Sequence, residues 1–255
     1  MSIDYVRVLI LLVFAHLVGD FVIRFRWLRH KKRTFAGRLV HSLIHAALAY
    51  LIISDWVLWQ IPVVVGVTHF LIDWGKASLK PKRWWIFVID QILHGIVLML
   101  MAGYVVTFGR ALPLWFSYYA GITWPLMVLA CAFLLLVPCG GYLIGGMMAP
   151  YQSQLERHYA RQAKPGVEEV KKPVKGIEEG GKVIGYLERL LILVFILNNQ
   201  YAGIGFLIAA KSIFRFGEFK ESENRMEAEY IIIGTFASFL YAIVISQGAR
   251  WLLAH

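Results

Sequence analysis

The sequence predicts an all-α fold, a polytopic transmembrane helical bundle with six or seven membrane helices. Three observations carry this expectation. Apolar residues fill 59% of the 255 positions and charged residues only 16%, whereas soluble domains run near ~45–50% apolar and ~25% charged. Apolar runs of the roughly 20 residues needed to cross a hydrocarbon core as a helix recur from end to end, and the mean hydropathy is +0.62. The net charge of +10 gathers in the short segments between those runs, where the positive-inside rule places basic residues. That charge therefore reads as a topology signal, with the lipid bilayer as partner and no nucleic acid.

The first apolar run, Tyr5 to Ile23, lacks a basic leader and ends in Arg and Lys instead of a small-residue cleavage site, so it reads as a retained span. Arg24, Arg26, Arg29, Lys31, Lys32, Arg33 and Arg38 follow it without an acidic residue, which predicts a cytoplasmic loop and an outside N-terminus. Span two, Leu39 to Ile53, goes outward to a tight turn at Ser54, Asp55 and Trp56; span three, Val57 to Leu79, returns to Lys76, Lys80, Lys82 and Arg83. Span four, Trp85 to Phe108, leads out to Trp115, Phe116, Tyr118, Tyr119 and Trp124, as an interfacial aromatic belt would. Span five, Ile122 to Met148, holds Pro138, Gly140 and Gly141, which predict a kink.

Residues 1–148 thus form a five-span membrane domain, 149–182 a flexible cytoplasmic linker rich in Pro, Gly, Glu and Lys, and 183–255 the C-terminal membrane helices. Asn198, Asn199 and Gln200 interrupt the apolar stretch from Val183 to Phe216, leaving a full span and a re-entrant hairpin both open. A last span runs from Tyr230 to Leu253. Cys131 and Cys139, eight residues apart along an apolar run, are too far apart for a disulfide and form no metal motif.

Chemistry concentrates in the first four spans. His16 and Asp20, His41 and His45, His69 and Asp73, and Asp90 and His94 are all i,i+4 pairs, a spacing that puts both side chains on one helix face about a turn apart. A single intramembrane His is ordinarily a hydrogen-bonded helix contact; four pairs with one spacing ask for more. Asp20 and Asp73 sit near the inner ends of their spans, His41 and Asp90 near the inner starts of theirs, so antiparallel packing brings all four pairs to one level. The topology follows from Lys and Arg alone, so the common depth of the His and Asp residues is independent of it. An Asp at the centre of a membrane helix costs about 2.5–3.5 kcal/mol on insertion scales, yet three of the five Asp residues of the chain lie in these spans. Five His and three Asp exceed what one tetrahedral ion uses, and helix bundles build two-metal carboxylate and imidazole sites from facing helices, so within one or two divalent ions a dinuclear centre with some residues behind the ligands is the leading form. Zn, Mn and Fe all accept this donor mixture.

Arg24 and Lys76 follow the aspartates at the inner interface and are candidates to bind an anionic substrate group, such as phosphate, if they do not simply snorkel to the interface. Gln91 is a further polar candidate beside Asp90. In the later half, Glu188, Arg189, Lys211, Ser212, Arg215 and Glu218 read as an interfacial ion-pair network.

The stretches AHLVGDF, LVHSLIHA, THFLIDWGK and FVIDQILHG resemble a bacterial membrane family known as the domain of unknown function 3307. The run GKVIGYLERLLILVFILNNQYAGIGFLIAAKSIFRFGEF, with AEYIIIGT after it, is similar to the C-terminal half of its longer members. The resemblance implies a bacterial inner (cytoplasmic) membrane protein and brings no activity with it. The His-x3-Asp pairs are also similar to those of membrane-bound metal-dependent hydrolases. A metal-dependent hydrolase acting on a phosphate ester or other amphiphile is the leading expectation, its base drawn from the same His/Asp set. The alternatives are a divalent metal or proton transporter, a di-iron or haem protein, and a non-catalytic subunit with a structural metal.

Overall fold

The computed structural model describes residues 3–23, 34–79, 83–109, 116, 120–162, 179–216 and 225–255, and all regular structure among them is helical. α1 (Ile3–Leu17) runs on into a π-helical turn, Val18–Val22. α2 is Phe35–Ile53, α3 Gln60–Ser78 and α4 Trp84–Phe108. α5 (Ala120–Leu134) passes through a second π-helical turn, Leu135–Cys139, into α6 (Gly140–Gln162). α7 (Gly180–Leu197), α8 (Tyr201–Phe216) and α9 (Arg225–Ala254) complete the chain.

Local chemistry sets the helix ends. The Thr34 hydroxyl accepts from the Gly37 N–H at 3.2 Å and caps α2, satisfying a donor that the first turn would leave orphaned. At the other end Ser54 takes a left-handed conformation, φ 55°, Asp55 Oδ1 accepts from the Val57 N–H, and Tyr50 donates to the Trp56 carbonyl. The turn closes within six residues, Ser54 to Trp59, so α2 and α3 are antiparallel neighbours.

The chain divides into two compact units, residues 1–135 and 136–254. In the first, α1 packs on α2, α2 on α3, α3 on α4 and α4 back on α1, a closed four-helix bundle with α5 against α1. The apolar core fills one half of it: Val8, Leu11 and Leu12 meet Ala49, Ile53, Ile61, Val65, Leu98, Ala102 and Val105. Small residues let α2 and α3 approach closely, since a Cβ on Gly66 would lie 3.2 Å from that of Ala46.

Among the described residues, five helical stretches are long and apolar enough to cross a membrane: Tyr5–Val22, Phe35–Ile53, Trp84–Phe108, Gly121–Ala160 and Arg225–Ala254. α3 matches α2 in length at 19 residues. It is less apolar and is not among these five, and it packs between α2 and α4.

In the second unit, α9 packs on α7 and α6, and α7 on α8 and α6. The segment from Val183 to Phe216 is not one continuous helix. The chain reverses at Asn198–Gln200, where Asn199 has φ 59°. Lys211 Nζ meets Glu188 Oε2 at 2.7 Å, and a Cβ on Gly203 would lie 3.1 Å from the Phe195 ring, so α7 and α8 form an antiparallel hairpin. The stretch expected as linker from Ala149 begins as helix and stays helical to Gln162. Side-chain pairs along it explain why: Gln152 donates to Glu156, Arg157 to the Ser153 carbonyl, and Tyr159 to Glu227 of α9. Residues 163–178 lie outside the described residues.

Candidate metal centre

Each bundle helix buries one stripe at i,i+4 spacing. The stripe is Ile61, Val65 and His69 in α3; His41, His45, Ala49 and Ile53 in α2; Ile86, Asp90, His94, Leu98 and Ala102 in α4. In α1 it is Val8, Leu12 and His16. The His and Asp residues are therefore the polar continuation of the apolar core at one end of the bundle, the end formed by the last turns of α1 and α3 and the first turns of α2 and α4.

All eight predicted residues meet there. Ring centroids lie 4.6 Å apart for His41 and His45, 3.7 Å for His45 and His69, 4.2 Å for His69 and His94, and 4.9 Å for His94 and His16. His16, His41, His45, His69, His94 and Asp90 are all buried. Asp20 stands at the centre: its Oδ1 faces His41 Nε2 at 3.1 Å and His45 Nε2 at 3.5 Å, and its Oδ2 faces His16 Nε2 at 3.5 Å. Asp73 Oδ2 lies 3.8 Å from His69 Nδ1 and 3.9 Å from His41 Nε2.

The donor set fits a metal ion. Asp20, His41, His45 and His69 each offer one ligand atom within 4.8 Å of the others. In a tetrahedral site with bonds of ~2.0–2.1 Å, ligand atoms lie about 3.3 Å apart, so a modest contraction of rotamers would close the shell. The hydrogen bonding argues the same way. His16 Nε2, both ring nitrogens of His69, His94 Nε2 and Asp90 Oδ1 are buried without a hydrogen-bond partner. Such orphans are costly, and an ion that takes lone pairs would relieve several of them together.

The three residues expected to bind substrate behave differently from one another. Lys76 reaches Asp90 Oδ2 at 2.6 Å, so it forms an ion pair inside the cluster instead of simply snorkelling; its side chain keeps 38% exposure. Gln91 donates to Asp20 Oδ2 at 3.3 Å and Asp90 Oδ2 at 3.2 Å, linking the aspartates of α1 and α4. Arg24 lies outside the described residues.

Gly19 is a site residue the sequence reading did not single out. A Cβ there would fall 2.5 Å from His45 Cε1 and 2.7 Å from its Nε2, so only glycine admits the His45 ring against α1. Gly19 sits in the π-helical turn with Asp20, and such turns interrupt the regular ladder at many functional sites. Its only sequence signal is its place immediately before Asp20. In the second unit Glu188 pairs with Lys211, as the ion-pair expectation has it. Arg189 turns inward instead, with Nε donating to the Leu136 carbonyl at 2.5 Å and Nη1 to Ser238 Oγ at 3.0 Å. The Arg215 side chain and Glu218 lie outside the described residues.

Fold and cluster together define a class, a polytopic helical membrane protein whose N-terminal bundle buries a His/Asp group able to hold a metal ion. Residues 8–123 match the family model described as "Protein of unknown function (DUF3307)", the family that the motifs resemble. The match contains all eight cluster residues. No curated protein matches the chain, and no solved structure matches it.

Proposed function

We propose that the chain is a metal-dependent hydrolase of the bacterial inner membrane, acting at the cytoplasmic face on a phosphate ester or other amphiphilic substrate, with the N-terminus outside. One observation carries this reading: more buried imidazole and carboxylate groups converge than one ion uses, and several of their buried nitrogen and oxygen atoms make no hydrogen bond. His41, His45, His69 and Asp20 would hold a divalent ion such as Zn, Mn or Fe. When bound, such an ion supplies Lewis-acid activation of a water and of the scissile group.

The chain's own groups do the rest. Gln91 fixes the Asp20 carboxylate by hydrogen bonding Oδ2. Asp73, whose Oδ2 lies 3.9 Å from His41 Nε2 and 3.8 Å from His69 Nδ1, would take a proton. Lys76 offsets the Asp90 charge and, being partly exposed, has donors left for an anionic group at the mouth of the site. The apolar substrate body would lie along the bundle exterior, where Leu71, Trp74 and Ile89 are exposed.

Transport is less well supported. The other half of the bundle interior is packed with Leu11, Leu12, Ile53, Ile61 and Ala102, each at most 1% exposed, which gives an ion no polar path among the described residues. The test uses full-length protein in detergent. Elemental analysis should find a transition metal that His69→Ala loses, and the metal-loaded protein should hydrolyse an acyl-chain phosphate ester that the variant leaves intact. Metal flux in proteoliposomes without hydrolysis would overturn the enzyme reading in favour of transport.

A further inference from the structure

We propose that the cluster binds a second divalent cation, held by His16, His94 and Asp20 next to the ion of His41, His45 and His69, with Asp20 bridging the two. This rests on the metal-binding reading above and extends it.

The His94 ring supplies the first argument. Its Nδ1 lies 2.8 Å from the backbone carbonyl of Asp90, and a carbonyl only accepts, so Nδ1 carries the proton. Nε2 then presents a lone pair, and it is buried without a hydrogen-bond partner. A ring N–H anchored to a carbonyl with the opposite nitrogen bare is the arrangement that orients histidine toward a metal. His16 shares the bare nitrogen: its Nε2 is buried without a hydrogen bond, 3.5 Å from Asp20 Oδ2, its ring centroid is 4.9 Å from that of His94, and both residues are over nine-tenths buried.

Asp20 supplies the second. Its oxygens face different partners, Oδ1 His41 and His45, Oδ2 His16 at 3.5 Å and the Gln91 amide, which donates to it at 3.3 Å. A carboxylate so placed can give one oxygen to each of two ions, and two-metal hydrolytic sites hold their ions about 3.5–4 Å apart. Helix bundles build such centres from inward carboxylates and histidines on facing helices.

Charge supplies the third. Asp20, Asp73 and Asp90 set against Lys76 leave two formal negative charges, which one dication balances. A second makes the site cationic, the sign a phosphate ester requires.

The experiment is stoichiometric. Full-length protein in detergent is stripped with chelator, reloaded with Mn2+, freed of excess and measured by elemental analysis and electron paramagnetic resonance. Wild type should hold two Mn2+ per chain with an exchange-broadened spectrum. His94→Gln and His16→Gln should each hold one, with the resolved lines of an isolated ion. Circular dichroism would verify that both variants keep their helices. One Mn2+ in wild type, unchanged in His94→Gln, would overturn the second site and leave the first reading standing; no bound metal in wild type would overturn both.

Discussion

At the scale of single residues, the absence of a side chain at Gly19 matters as much as the ligands. A methyl group there would fall 2.5 Å from His45 Cε1, so Gly19→Ala must displace that ring, the Asp20 turn, or both. Supporting groups of this kind are worth ~10–100-fold in metal affinity, and a fall of that size is expected when Gly19→Ala competes with a chelator for Zn2+. Unchanged affinity would show that His45 is not a ligand. Lys76 sets a different balance. Breaking a buried pair costs about 3–5 kcal/mol, but 38% of the Lys76 side chain is exposed, so Lys76→Met should destabilise the protein by less than that, read as a lowered Tm in detergent. A Tm equal to wild type would mean that Asp90 draws no support from Lys76. The eight ligand candidates were legible because an i,i+4 repeat shows in the order of residues. Gly19 was not, because the group it accommodates lies 26 residues away on another helix.

Among the elements, the two π-helical turns and the α7–α8 hairpin carry the departures from regular geometry. Pro138 lies in the second π turn, where its missing N–H cannot complete a helical bond, and Arg189 donates to the Leu136 carbonyl of the same turn. Pro138, where a kink is expected, thus lies in a π-helical turn that a charged side chain from α7 meets. The hairpin turns on Asn199 at φ 59°, a conformation that Asn tolerates and β-branched residues resist by roughly 1–2 kcal/mol. Asn199→Gly should therefore leave thermal stability near wild type, whereas Asn199→Val should lower it by about that amount. Equal stability of the two variants would show that the turn relaxes without cost. Sequence left this segment open between a span and a hairpin, since Asn-Asn-Gln is equally a polar insertion and a turn; the Glu188–Lys211 pair and the Phe195–Gly203 contact decide it.

For the whole molecule, the cluster couples metal to stability. A ligand that binds only the folded state stabilises it by about 2.7 kcal/mol at 100 times its Kd, so chelation should lower the Tm of wild type by more than that of His69→Ala. A chelator-insensitive wild type would return the cluster to a hydrogen-bonded structural core. Topology is the other property at this scale. Cysteines placed near Arg33 and Lys82 should resist an impermeant thiol reagent in intact cells, because the basic residues there are expected on the cytoplasmic side. Labelling of both from outside would invert the orientation.

Sequence by itself determined the helical class, the order of the spans, the pairing of His and Asp on single helix faces and their common level. These follow from local periodicity and from a solvent slab that forces helices to align across it. Tertiary structure alone decided which atoms face which. The separate partners of the two Asp20 oxygens, the anchored His94 ring, the Lys76–Asp90 pair and the inward Arg189 depend on each helix's rotation about its own axis. That rotation is set by how neighbouring surfaces interlock, through close approaches such as Gly19 with His45 and Gly66 with Ala46, and no repeat along one helix encodes it.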